Sequence, residues 1–267
     1  MKTLMTIAQA FDAAAAGAEI GLDRSWWGFG GVHGGLTLGL LTTALCASAP
    51  ERALRQVSGH FRRALRQPFV LDVAPHEPGK SVSWLDASAL ENGRVAMRAS
   101  ALFAAPGARH HAPLAPPMPS VPAPSACPLF TVPDGFAPFS RHVEIRPVGA
   151  ARPFGGGTEP QLTAWLRLVD DDLPPDAARL AMLMDALAPS YAAVLETPVP
   201  IPTLTFTLTP GAGLVAASSP WLLLQARTEV CGSDGWLLER FHAWAPDGAH
   251  LGAAEQLRMV MDGQGGA

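Results

Sequence analysis

The chain has 267 residues, of which 48% are hydrophobic and 16% charged, so it can bury a sizeable core as one large domain or two small ones. Its net charge of −4, without a basic block, gives no indication of nucleic-acid binding, and its longest apolar stretch, residues 34–48, is too short to span a membrane. The three cysteines are scattered and form no Cys-x-x-Cys pair, which disfavours a metal site or a disulfide framework and favours reduced thiols in the cytoplasm.

The chain divides at its middle. Residues 105–138 are rich in proline and almost free of charge. Such a composition can neither continue a helix nor pair as a central strand. We therefore expect an inter-domain linker over 105–138, between an N-terminal domain of residues 1–104 and a C-terminal domain of residues 139–267.

Each half contains one apolar helix and a series of strand-like segments. A glycine-rich turn precedes a helix over 34–49, and two strands precede a helix over 175–187. The turn sequences 91–93 (Glu-Asn-Gly) and 246–248 (Pro-Asp-Gly) stand between the last two strands of each half. This repetition predicts an α+β fold of two tandem repeats, each a long helix wrapped by a curved antiparallel sheet. The predicted strands are 55–63, 68–74, 80–90, 94–104, 141–148, 161–168, 201–209, 221–230, 236–245 and 249–261.

The glycine-rich segment 27–35 reads Trp-Gly-Phe-Gly-Gly-Val-His-Gly-Gly. It resembles the start of the hotdog helix in the double-hotdog acyl-CoA thioesterases of the acyl-CoA thioesterase II type. His33, Gly34 and Gly35 are also similar to the His-Gly-Gly motif of single-hotdog phenylacetate-type thioesterases. In those proteins an acid follows nine residues after the histidine, whereas this chain has Thr42 there. The resemblance implies that these three residues bind the substrate, with helix N–H groups that stabilise an oxyanion.

Three motifs of the second half are Leu-Met-Asp-Ala-Leu (183–187), Ile-Pro-Thr-Leu-Thr-Phe (201–206) and Ala-Glu-Gln-Leu (254–257). They resemble the segments that carry the catalytic aspartate, threonine and glutamine of the same family, in the same order. The resemblance implies that Asp185, Thr203 and Gln256 are catalytic. A register slip of two residues would put Thr205 in the place of Thr203. A carboxylate, a hydroxyl and an amide can hold one water between them, and Asp185 is the base of the set.

Each half carries what the other lacks. The first half has the glycine-led helix start but Thr42 where an acid is expected, and the second half has Asp185 but begins its helix after Pro174 and Pro175. In paired hotdogs the glycine end of one helix lies near the partner's helix. We therefore expect the two sheets to lie side by side, with adjacent helices and one shared site.

The function that these features predict is hydrolysis of an acyl-CoA to the free acid and CoA by direct attack of water, without a cofactor or a metal. Two other classes stay open: a non-catalytic acyl or acyl-CoA binding module, and a structural or interaction role. Asp185 itself could be an exposed helix residue. The chain has no Gly-x-Ser-x-Gly elbow, dinucleotide fingerprint or phosphate-binding loop, which disfavours those enzyme classes. We expect acyl-CoA as partner, no nucleic acid or membrane, and a homo-oligomer of two or more chains.

Overall fold

The computed structural model describes residues 5–77, 79–107, 111, 114–133 and 135–261. Parts of the predicted linker and the outer ends of the two predicted domains lie outside these residues. The α-helices are α1 (Ile7–Ala15), α2 (Gly34–Ala47) and α3 (Ala177–Met184). The strands are β1 (Ala53–Phe61), β2 (Val70–Val73), β3 (Val82–Glu91), β4 (Arg94–Ala104), β5 (Val143–Pro147), β6 (Gln161–Leu168), β7 (Thr203–Pro210), β8 (Leu222–Cys231), β9 (Trp236–Trp244) and β10 (His250–Met259).

The described strands form one ten-stranded sheet in the order β2-β3-β4-β1-β7-β10-β9-β8-β6-β5. The two halves join where β1 pairs antiparallel with β7, with Val57 opposite Leu208 and Gly59 opposite Phe206. Helix α2 packs against β1 to β4 and also against α3. The sheets of the two halves therefore run side by side with adjacent helices, as the sequence predicts. None of the described helices has the length and apolar character needed to cross a membrane.

The hairpin turns that mark the repeat form where the sequence places them. Asn92 and Gly93 have φ values of 51° and 72° between β3 and β4, which is the left-handed region that asparagine and glycine tolerate best. Gly248, with a φ of 89°, lies between β9 and β10. Residues that can adopt positive φ thus set the register of the last hairpin in each half.

Helix α2 is apolar on all sides because it lies between the sheet and α3. Ten of its fourteen residues are buried. Gly39 permits the close approach of the two helices, since a Cβ there would lie 2.6 Å from the carbonyl oxygen of Ala178. The tight crossing brings the N-terminus of α2 close to the end of α3.

Helix α1 was not predicted from the sequence. It begins with a capping box in which Thr6 and Gln9 bond each other's backbone N–H groups. Ile7, Ala10 and Phe11 are buried, and the helix packs against α2. The Thr-x-x-Gln spacing was a local signal for this helix start.

The proline-rich segment 114–133 holds no strand and no α-helix, and it is fixed to the second half. Trp165 Nε1 donates to the Pro122 carbonyl over 2.8 Å, and Trp244 Nε1 donates to that of Pro116 over 2.9 Å. Both tryptophans pack with Leu223 in a cluster separate from the main core. Because the neighbours of Leu223 in β8 belong to the main core, this cluster lies on the opposite face of the sheet.

Candidate active site

A cavity of about 790 Å³ opens between the two halves. Its wall is mainly apolar, with phenylalanine, proline and aliphatic side chains from both halves. Four of the six sequence-predicted site residues line it directly: His33, Gly34, Asp185 and Thr203. Gly35 and Gln256 lie just behind this wall and contact Asp185. The structure therefore brings all six together.

Asp185 joins the two helices at this place. It is the C-cap of α3, one residue past the end of the helix, and its side chain is only 9% exposed. Its Oδ2 accepts a hydrogen bond from the Gly35 N–H of α2 over 2.7 Å. The alternative that Asp185 is an exposed helix residue is therefore wrong. A Cβ on Gly35 would lie 2.5 Å from the Asp185 Cβ, so only glycine permits this approach.

The amide of Gln256 lies between the aspartate and the threonine. Gln256 Nε2 donates to Asp185 Oδ1 over 2.8 Å, and Thr203 Oγ1 donates to Gln256 Oε1 over 3.3 Å. Gln256 is fully buried, so both ends of its amide need these partners. Thr205 pairs within the sheet and does not line the cavity. Of the two threonines that the sequence leaves open, Thr203 is the one in contact with the site.

His33 caps α2 and contacts Asp185 from the other side. Its Nδ1 accepts from the Leu36 N–H over 3.2 Å, which places the ring proton on Nε2, and Nε2 donates to the Asp185 carbonyl over 3.1 Å. Burial lowers the pKa of the imidazole, and the Asp185 carboxylate opposes this only in part. His33 is therefore neutral near pH 7, and it holds the backbone of Asp185 against the start of α2.

Gly34 leaves one helix donor facing the cavity. The Gly35 N–H is taken by Asp185 and the Leu36 N–H by His33, but no acceptor for the Gly34 N–H occurs in the part of the chain that the structure describes. A Cβ on Gly34 would lie 2.8 Å from the Phe61 ring. An anionic oxygen in the cavity can thus reach a free N–H at the positive end of α2.

Two buried charges near Asp185 were missed from the sequence. Arg258 and Glu239 are 5% and 0% exposed, and Arg258 Nε lies 2.7 Å from Glu239 Oε2. Strand alternation carried the signal, since Leu237, Glu239 and Phe241 share one face of β9 and the outer two are core residues. A charged residue at a core-facing position of a strand indicates a buried ion pair.

Ser25, His142 and Asp170 form a second polar set outside the cavity. His142 Nε2 lies 2.8 Å from Ser25 Oγ, and its Nδ1 lies 2.8 Å from Asp170 Oδ2. This connectivity is that of a serine-hydrolase triad. However, the Ser25 N–H donates to Asp23 Oδ1 over 2.6 Å, which removes an oxyanion donor, and none of the three lines the cavity. The set ties the first half to the second, with the His142 ring stacked 3.6 Å from Trp26.

The described residues contain no group of three or more histidine, cysteine or acidic side chains that could hold a metal ion. Around Asp185 the polar groups at or just behind the cavity wall are instead its carboxylate, the Gln256 amide, the Thr203 hydroxyl and the N-terminus of α2, together with the imidazole of His33 and the guanidinium of Arg258. These groups suit the activation of water and the binding of a carbonyl oxygen.

Models of two domain families match the chain. The acyl-CoA thioesterase N-terminal domain matches residues 23–104, and the acyl-CoA thioesterase C-terminal domain matches residues 115–260. None of the curated proteins compared with the chain matches it.

Solved structures show the same fold along almost the whole chain. A conserved protein of unknown function with a hot dog fold from Alicyclobacillus acidocaldarius is 26% identical, over 96% of this chain and 99% of that one, with a TM-score of 0.83. A candidate thioesterase II from Thermobifida fusca is 21% identical, over 94% and 97%, with a TM-score of 0.79. The acyl-CoA thioesterase II TesB2 from Mycobacterium marinum is 20% identical, over 87% and 91%, with a TM-score of 0.66.

These likenesses confirm the predicted double-hotdog α+β fold. The match to the C-terminal domain alone covers more than half of the 267 residues, and the N-terminal domain matches most of the first half. The chain belongs to the acyl-CoA thioesterase family and is a thioester hydrolase.

Proposed function

We propose that the protein hydrolyses an acyl-CoA to the free acid and CoA by direct attack of water, with Asp185 as the general base. The observation that carries this proposal is the position of the Asp185 carboxylate. It lies at the cavity wall, oriented by the Gly35 N–H of the other half and by the Gln256 amide. Among the residues that the structure describes, no other carboxylate lines this cavity.

In this mechanism the thioester carbonyl oxygen accepts the free Gly34 N–H. A water lies between Asp185 and the hydroxyl of Thr203, and Asp185 takes its proton while the water oxygen bonds to the carbonyl carbon. The helix N-terminus stabilises the resulting oxyanion. When the intermediate collapses, the C–S bond breaks and the CoA sulfur takes the proton back from Asp185. Gln256 contacts Asp185 Oδ1 and Thr203, and its role is to hold these two groups in place.

The sequence left open a non-catalytic acyl-CoA binding module, which a large apolar cavity alone would also suit. A panel of acyl-CoAs with chains of increasing length, followed with a thiol-trapping dye, separates the two. We expect CoA release from at least one of them, and release slower by about 10²–10⁴-fold with Asp185→Asn at equal protein concentration. Tight binding of an acyl-CoA without CoA release would favour the binding module.

We further propose that residues 1–104 and 139–267 are the two repeats and that 105–138 connects them. The composition of the connecting segment and the β1–β7 junction support this division. Limited proteolysis should cut first within 105–138. An early cut inside either repeat would contradict these boundaries.

We propose a homo-oligomer of two or more chains. Strand β2 forms one edge of the sheet, and Val70, Val82 and Trp84 are exposed on β2 and its neighbour β3. Light scattering should give at least twice the 28.0 kDa of one chain. A monomer at micromolar concentration would contradict the proposal. A cytoplasmic location also stays a prediction, and the free thiols of Cys46, Cys127 and Cys231 are consistent with it.

A further inference from the structure

A buried ion pair lies directly behind the Asp185 carboxylate. Arg258 extends from β10, two residues after Gln256, and Glu239 extends from the neighbouring strand β9. Both side chains are almost fully buried, and their charged atoms are 2.7 Å apart. A charge without a partner is costly in a protein interior, so each of the two requires the other.

The pair is anchored on one side and reaches the site on the other. Glu239 Oε1 accepts from the Ser190 N–H over 2.5 Å, and the Ser190 hydroxyl lies 2.9 Å from that of the buried Thr228. On the site side, Arg258 Nη2 lies 3.7 Å from Asp185 Oδ1. This is the oxygen that accepts from the Gln256 amide. Arg258 also lines the cavity.

One guanidinium thus lies between two carboxylates at unequal distances. Its contact with Glu239 is 2.7 Å and its contact with Asp185 is 3.7 Å. A close ion pair with arginine would reduce the proton affinity of a general base. The fixed carboxylate of Glu239 keeps the guanidinium away from such a pair, while the longer distance still gives Asp185 a nearby positive charge.

We propose that Arg258, held by Glu239, is a positioning residue that fixes the orientation of the Asp185 carboxylate. The inference rests on the proposed role of Asp185 as the base. Among the described residues, the titratable groups in contact with Asp185 are His33 from α2 and Arg258 from β10, and Glu239 from β9 stands behind Arg258. His33 is neutral, so Arg258 is the cation that acts on the carboxylate.

The central test removes both charges of the pair at once. In the double variant Arg258→Met, Glu239→Gln, the glutamine keeps an oxygen that can accept the Ser190 N–H. Replacing a buried ion pair by uncharged side chains of similar size is often neutral for stability. We expect a Tm close to that of the wild type, an unchanged KM and a kcat lower by about 10-fold to 10²-fold, because Asp185 is misplaced. The single variant Arg258→Lys keeps a cation beside Glu239, so its kcat should lie between that of the double variant and that of the wild type.

The same two strands provide a matched control. Arg240 and Glu255 form an ion pair of 3.3 Å between β9 and β10, but both are about half exposed on the other face. The double variant Arg240→Met, Glu255→Gln should keep the wild-type kcat. A kcat of the buried double variant within twofold of the wild type, together with the wild-type Tm, would overturn the positioning role.

A second readout does not depend on turnover. The amide of Gly35 donates to Asp185 Oδ2, so its nitrogen and proton chemical shifts should report the position of that carboxylate. In Glu239→Gln the released guanidinium can approach Asp185, and we expect both Gly35 shifts to differ from those of the wild type. Unchanged Gly35 shifts would contradict the inference. Absence of CoA release by the wild type would instead contradict the proposed function, and the Gly35 shifts would still test the pair.

Discussion

At each end of the α2–α3 helix pair an aspartate accepts a hydrogen bond from a helix N–H, but only one of the two aspartates faces the cavity. At one end the N-terminus of α2 meets Asp185, and the Gly35 N–H donates to that carboxylate over 2.7 Å. At the other end α3 is capped by its own Asp176, whose Oδ1 accepts the Arg179 N–H over 2.8 Å. The Arg179 guanidinium pairs with Asp176 at 2.6 Å and lies 4.9 Å from the Phe11 ring of α1.

The difference is consistent with the proposal that the two positions hold one site instead of two. At the Asp176 end the acid belongs to the helix that it caps, and it forms an ion pair with Arg179. At the Asp185 end the acid comes from the other half and faces the cavity, and no described arginine approaches it closer than 3.7 Å. None of Asp176, Arg179 and Phe11 lines that cavity. In the proposed function, the acid that is supplied across the interface of the halves is the base.

The largest expected effect comes from the two acids themselves. Asp185→Asn keeps the size of the side chain and removes the base, so we expect kcat to fall by about 10²–10⁴-fold. Asp176→Asn is the matched control, because asparagine also caps helices well. It should keep the wild-type kcat. Steady-state rates with the best acyl-CoA check both variants, and wild-type turnover of Asp185→Asn would contradict the water-activation mechanism.

Two glycines of α2 should separate the position of the acid from the packing of the helices. A Cβ would lie 2.5 Å from Asp185 Cβ at Gly35 and 2.6 Å from the Ala178 oxygen at Gly39. Overpacking costs about 1–3 kcal/mol, so both Gly35→Ala and Gly39→Ala should lower Tm. Only Gly35→Ala displaces the acid, and its kcat should fall by about 10²-fold. Equal loss of kcat in the two variants would indicate a packing effect alone.

Substitution of Gln256 or Thr203 should lower kcat, and the loss should be larger for the residue that contacts Asp185 directly. Gln256→Leu removes the direct donor to Asp185, and Thr203→Val removes the hydroxyl that bonds Gln256 and that contacts the water in the proposed mechanism. We expect a larger loss of kcat for Gln256→Leu than for Thr203→Val, and both losses should be smaller than that of Asp185→Asn. Thr205→Val is the control on the same strand. When combined with Asp185→Asn, neither should add much, because these residues act as a unit.

Sequence patterns predicted the elements whose signals are local. The hairpin turn at Asn92 and Gly93 forms because these residues tolerate positive φ, and the glycine-led start of α2 lies where its motif placed it. Asp185 lies one residue past the end of α3, because the helix ends at Met184 instead of continuing to residue 187 as predicted. The complementarity of the two halves also predicted that the acid of one would meet the glycines of the other.

Features that depend on contacts between distant segments were not predicted. Strand alternation puts Thr203 and Thr205 on one face and so left both open, whereas the register shift of β10 against β7 sets Thr205 opposite Leu257 and Thr203 opposite Arg258. The pairing of Arg258 with Glu239 needs two strands in register, which a single sequence does not give. The fixing of the proline-rich segment by Trp165 and Trp244 likewise depends on the finished sheet.

The histidine cap of α2 should make the stability of the fold depend on pH. Burial lowers the pKa of His33, so the unfolded chain binds more protons than the folded one between that lowered value and about 6.5. Stability should therefore be full above about pH 6.5 and should fall as the pH falls through this window. His33→Asn keeps a capping oxygen and removes the titration. Urea midpoints between pH 5 and 7.5 should decline less in the variant, and an equal decline would assign the effect to other histidines.

The smallest expected effect concerns the serine outside the cavity. Ser25 contacts His142, which contacts Asp170, but its own N–H is bonded to Asp23 and the set does not line the cavity. If Asp185 is the general base, Ser25→Ala should keep kcat and KM for acyl-CoA. The variant should also release CoA without an initial burst, as the wild type does, because water attacks the thioester directly and no acyl-enzyme accumulates. Loss of turnover in Ser25→Ala at an unchanged Tm, with a burst in the wild type, would move the reaction from Asp185 to a serine nucleophile.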